Sequence, residues 1–265
     1  MTTTFHFFPD RSDPSLIEQW GFRFGAVGAH TSRTMMSEEL ALLLESVPLE
    51  AAKTEIRAAI IDANCLGKPT ASTRRLSYQR LSELYGLDRD VLLFRLLRRV
   101  WTLPGVRHQL VAVLCALARD PLLRATAKPI VGLPTGAEYA RSDIEEALQK
   151  VASDRLNNEI LAKVGRNCAS SWTQSGHLVG RTFKKRAMVE PEPGVLCFAL
   201  ALGFLAGFRG ADLFATGWMR VLDCSPLAAR QLAMEAKRRG LIDLRISGEI
   251  IELRLERLDP ALNQL

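Results

Sequence analysis

The stretch "GVLCFALALGFLAGF", Gly194–Phe208, contains no polar side chain that could face water comfortably. Prolines precede it and Arg209 follows it. A helix apolar on every side must be buried on every side or lie in a membrane. A spanning helix needs about 20 apolar residues, so this one is too short. Its glycines and alanines suit close packing against neighbouring helices. The stretch is therefore expected to be the buried central helix of the C-terminal half, with no membrane partner, and the rest of the chain has to supply its shell.

That shell reads as mainly α-helical. "TMMSEELALLLESV" sets Met36, Leu40, Leu43 and Val47 on one face, with Pro48 as the stop. "LEAAKTEIRAAIIDANC" repeats the pattern through Ile56, Ala59, Ile60 and Ala63. "TASTRRLSYQRLSELYG" follows, closed by Gly86, and "RDVLLFRLLRRVWTL" comes next. Pro104 is expected to open another helix, and Asp120-Pro121 reads as an N-cap followed by proline at N1. Residues 35–135 are thus expected to form a helical bundle with short connections, after an irregular segment 1–34 carrying one short strand. Residues 136–192 have a different grammar. A capping box at Ser142-x-x-Glu145 begins one helix, and a second runs from about Leu156 to Gln174. Gly176 stops it, and the extended basic "HLVGRTFKKRAMVEPEP" follows. Helix, glycine, hairpin is the tail of a winged-helix-like unit. Residues 193–265 repeat it after the buried helix. Ser225-Pro226 starts a helix, Gly240 ends it, and "LIDLRI" and "IIELRL" alternate as strands joined by Ser247-Gly248-Glu249.

Charge is distributed unevenly. The 265-residue chain has a net charge of +6. Ile160–Val189 contains six basic residues and no acid, and Cys65–Leu110 has nine basic residues and three acids. The two windows hold +12, so the other 189 residues sum to −6. Such concentration suggests a surface facing phosphates. The competing reading puts the arginines on separate faces. Lys163, Arg166, Ser170 and Thr173 share one face of the helix before Gly176, and Arg181, Lys184, Lys185 and Arg186 lie on the expected wing. These residue types are the usual contacts to phosphates and base edges. Alternation sends Lys184 and Arg186 to one side of the wing and Lys185 to the other, with none of them buried. Trp172 reads as a core anchor. In the C-terminal unit Glu235, Glu249, Glu252 and Glu256 dilute Arg230, Lys237 and Arg238, so that unit looks more like a protein interface.

Chemistry is sparse. The four histidines are scattered singly, and no HExxH, paired carboxylates or nucleophile elbow occurs. "CLGKPTAST" lacks phosphate-loop spacing. Ser170, Ser171 and His177 could be drawn as a hydrolase pair, but serines at helix ends are more often caps. Five dispersed cysteines without a CxxC pair argue against structural zinc and for a reducing, cytoplasmic compartment. The N-terminus lacks the pattern of a signal peptide. No catalytic group, metal or cofactor is expected.

"IDANCLGKPTASTRRLSYQRLSELY" resembles the N-terminal signature of the BrxA family of BREX phage-defence systems, in which a helix ends in a Leu-Gly-Lys turn and a Ser/Thr- and Arg-rich helix follows. "ILAKVGRNCASSWTQSGHLVG" is similar to the winged-helix portion of that family. The likeness spans residues 35–190, while the opening and the tail after Gly210 have no counterpart. It implies a non-catalytic, helical, double-stranded DNA-binding accessory protein working beside other defence-system proteins. It carries over Lys68, Arg74 and Arg75 as structural or DNA-facing positions. The alternative is a protein-interaction adaptor that docks another subunit through the winged units.

Overall fold

A computed structural model describes residues 5–152, 157–247 and 250–264. The expected helix start at Leu156 and the turn residues Gly248 and Glu249 lie outside the described residues. The chain is mainly helical, with two short antiparallel hairpins. A single cluster of buried side chains runs from Phe7 to Leu262.

The N-terminal half contains α1 (Pro14–Glu18), α2 (Ser37–Ser46), α3 (Lys53–Ile61), α4 (Ala71–Tyr85), α5 (Leu92–Trp101), α6 (His108–Arg119), α7 (Pro121–Ala125) and α8 (Ala127–Val131). Their inward stripes are those the spacing predicted: Leu40 and Leu43, Ile56 and Ile60, Leu81 and Leu84 are fully buried. Gly86 ends α4 at φ +71°, a backbone state that costs a Cβ-bearing residue energy. Asp120 caps α7 by accepting the amides of Leu122 and Leu123, and Pro121 fills N1. Pro104 does not open a helix. It precedes a turn at Gly105 (φ +73°), and α6 begins at His108.

Residues 5–34 contain α1 and a 3-10 turn at Ala29–Thr31, and no strand among the described residues. They are not a loose leader. The Trp218 indole stacks edge-on against Phe7, Phe8 and Phe22 and donates to the Phe7 carbonyl at 2.9 Å. Arg124 lies over the rings of Phe8 and Phe24 and donates to Arg23 O. Such aromatic and cation–π contacts hold an irregular segment that has few backbone bonds of its own.

Next come α9 (Arg141–Ala152), α10 (Asn158–Gln174), β1 (Leu178–Val179) and β2 (Lys185–Arg186). Helix α9 starts one residue before Ser142, whose hydroxyl turns to Asp143, so the expected capping box does not form. Asn157 caps α10 instead, accepting Ile160 N–H at 2.9 Å. The segment around Glu138 adds a third rung beside β2: Arg186 N–H donates to Ala137 O and Tyr139 N–H to Lys184 O. The edge segment, α9, α10 and the β1–β2 hairpin follow one another within residues 136–192.

The apolar stretch becomes α11 (Pro193–Leu205), in which every residue except Phe204 is buried. It is packed by α5, α6, α12 (Gly217–Val221) and α13 (Pro226–Arg238). Close approach explains its small residues: a Cβ on Gly194 would come within 2.7 Å of Val106. Ser225 caps α13 and Gly240 ends it at φ +72°. The hairpin of β3 (Asp243–Ser247) and β4 (Ile250–Arg254) then turns Leu244 and Ile251 inward.

Candidate nucleic-acid interface

Helix α10 divides into two faces. Leu161, Val164, Cys168 and Trp172 point into the core. Trp172 is completely buried, its indole N–H donating to Thr126 Oγ1 at 2.8 Å, so it is a core anchor and not a stacking platform. Lys163 and Arg166 are exposed on the opposite face, and Ser170 and Thr173 are half-buried beside them. The wing reaches this face through Lys184, whose Nζ donates to Thr173 Oγ1 at 2.6 Å. Burial lowers the pKa of this ammonium from its ordinary value. Arg181 and Lys185 are exposed on the wing. Four cations, Lys163, Arg166, Arg181 and Lys185, make no ion pair or hydrogen bond to any described side chain. Lys184 thus ties the wing to the helix face, donating also to Ala169 O at 3.4 Å.

The expectation for Arg186 is overturned. Strand alternation does place Lys184 and Arg186 on one side, but that side faces inward. Arg186 is 3% exposed and ion-paired with Asp223, whose second oxygen accepts Val189 N–H at 2.8 Å. Burial is tolerated because the charge is neutralised on the spot. Arg186 is a bolt between the wing and the α12–α13 connection and cannot touch a ligand on the outer surface.

The first basic window is also consumed internally. Lys68 bonds Glu39 at 3.0 Å, Arg95 and Arg99 share Asp259, and Arg107 pairs with Glu192 at 2.9 Å. Arg80 pairs with Glu83, and Arg74 donates to Ile61 O at 2.8 Å. Arg98 and Arg89 bond the carbonyls of the α2–α3 connection. Arg75 alone among the nine is exposed without a described partner. Three of the four acids in these pairs, Glu39, Asp259 and Glu192, come from outside the window, so part of its +6 is offset by acids remote in sequence. Lys68 and Arg74 are structural positions.

A buried triad was not foreseen. His30 Nδ1 lies 2.8 Å from Asp120 Oδ2, and His30 Nε2 lies 2.8 Å from Ser171 Oγ. Asp120 also accepts three backbone amides, from His30, Leu122 and Leu123. Burial alone would push this carboxyl up, but the charge and hydrogen bonds of His30 and the backbone amides hold it below its ordinary value. The connectivity matches a hydrolase triad, yet all three side chains are at most 1% exposed, and Ser171 Oγ already accepts the Met35 amide at 2.8 Å. A nucleophile must meet its substrate's carbonyl, and this one is sealed. As placed, the triad fastens the N-terminal segment to α10. Ser171 bonds His30 rather than the sequence-adjacent His177. His177 accepts the Ser175 hydroxyl and donates to Val221 O, and burial lowers its pKa to about 4. No local pattern could have signalled His30, because its partners lie 90 and 141 residues away.

Among the described residues no group of His, Cys, Asp or Glu could hold a metal ion, and no helix is long and apolar enough to cross a membrane. No protein-family model matches the chain, and comparison with curated proteins found no match.

Proposed function

We propose that the protein is a non-catalytic, sequence-tolerant binder of double-stranded DNA that engages the duplex through α10 and the β1–β2 wing. The observation that carries this reading is the set of four exposed cations, Lys163, Arg166, Arg181 and Lys185, that have no partner among the described residues, while the two other cations of α10 and the wing are held, Lys184 on Thr173 and Arg186 on Asp223. Lys and Arg on such a face contact phosphates, and Ser170 and Thr173 add hydroxyls at the same surface. Its resemblance to the BrxA family, carried by residues 35–190, suggests a setting among bacterial phage-defence proteins. A reducing cytoplasm fits five free thiols, four of them buried.

The test is a mobility shift of the purified chain on unrelated duplexes. Four neutralised phosphates give a slope of log K against log salt of about −3.6, shallower than the −5 or so that six contacts would give. A flat salt response, or no shift at low salt, removes the reading. A protein-docking adaptor is the second reading, favoured by Ile250, 75% exposed on the outer face of the C-terminal hairpin, and by Leu227, 68% exposed on α13.

A further inference from the structure

A recess of about 400 Å³ lies where three segments meet: the turn after α8, the base of the wing and the α12–α13 connection. Its volume is that of a small-molecule site. Gly132 and Thr135 form one wall, Arg186 and Met188 another, and Arg220, Asp223 and Ser225 the third. The charged groups on these walls are Arg186, Arg220 and Asp223, leaving one positive charge in excess. Two features show that the excess is unsatisfied. The Arg220 guanidinium, half-buried, makes no hydrogen bond or ion pair to any described residue. Arg186 is 3% exposed and spends its terminal nitrogens on Asp223 and Ala187 O, while its buried Nε–H has no partner. A buried donor left empty is costly, and a ligand oxygen placed there would recover that cost. Ser225 caps the 13-residue helix α13, so the positive end of that helix dipole adjoins the same recess.

We propose that this recess binds a small soluble oxyanion of the phosphate class, with Arg220 as the ligand-facing cation and the Arg186–Asp223 pair as its rigid floor. The planar guanidinium fork matches a phosphate edge in a bidentate manner. The site lies in a recess rather than on the helix–wing face, so a duplex backbone is not its intended occupant. It stands independently of the proposed DNA contact.

Titration calorimetry with inorganic phosphate, at constant ionic strength with chloride as the reference anion, tests the site in the full chain. The wild type should bind phosphate saturably, with an affinity on the order of millimolar. Arg220→Gln should weaken it at least about tenfold, and Arg220→Lys should restore part of the loss. Thr135→Trp, which fills the recess and leaves Arg220 in place, should abolish binding. Arg220 has no partner among the described residues to lose, so its variants should keep the wild-type melting temperature. No saturable heat up to about 20 mM phosphate, well above the expected affinity, overturns the proposal. So does an Arg220→Gln affinity equal to the wild type. Arg220→Gln that lowers duplex affinity in a protein without phosphate binding would identify a DNA backbone phosphate as the occupant and also overturn it.

Discussion

Arg186→Ala is expected to be a severe folding lesion, although the residue sits in a basic run that reads as solvent-facing. The Arg186 side chain is 2% exposed and its Asp223 partner 10%. Removing the guanidinium leaves the Asp223 carboxylate, at the wall of the recess, with the Val189 amide as its one remaining donor among the described residues. Breaking a buried pair in this way costs about 3–5 kcal/mol, because the surviving charge is uncompensated. For a chain of this length the cost corresponds to a fall in melting temperature of roughly 6–20 °C. Urea unfolding and calorimetry on Arg186→Ala, Asp223→Asn and the double variant measure it. The double variant should recover much of the loss, since it removes both charges. Lys185→Ala, one residue away and exposed, should stay within about 0.5 kcal/mol of the wild type. An Arg186→Ala protein as stable as Lys185→Ala would refute the inward-facing strand.

Two further expectations concern the buried polar groups. Gly28→Ala places a Cβ 2.1 Å from Asp120 Oδ1, a carboxylate too firmly bonded to move. The substitution should cost about 1–3 kcal/mol and loosen the His30 fastening, read as faster amide exchange around residues 28–35. His177 is neutral in the fold because its pKa is lowered from 6.5 to about 4. The unfolded chain therefore binds the extra proton first, and stability should decline as pH falls from about 6.5 to about 4, by up to roughly 3 kcal/mol. His177→Gln should flatten that part of the pH–stability profile, and an unchanged slope would assign the acid sensitivity elsewhere.

Much of the helical framework is legible in the chain because its signals are local. Leu40 and Leu43 sit one turn apart, Gly86 and Gly240 occupy left-handed stops, and Asp120-Pro121 is a complete start signal. Gly194–Phe208 could only be buried, and α11 is. What escaped depends on partners remote in sequence. Alternation put Lys184 and Arg186 on one side of β2 correctly, but which side faces the core is decided by Asp223, 37 residues away. Charge in Cys65–Leu110 looked available because Asp259, the acid that Arg95 and Arg99 share, lies about 160 residues further on. His30 offered no signal at all, since a buried triad has no local period. Local Ser142 chemistry misled in the opposite direction: a capping-box pattern was present, but α9 begins before it.

The most direct measurement of the central reading is fluorescence anisotropy on one duplex across a salt series. It compares the wild type with a protein carrying Lys163→Gln, Arg166→Gln, Arg181→Gln and Lys185→Gln. All four side chains are exposed and have no partner among the described residues, so the variant should melt with the wild type. Its duplex affinity should collapse at low salt and its salt slope should flatten from about −3.6 toward zero. A folded quadruple variant that keeps the wild-type affinity and slope would contradict the α10–wing interface.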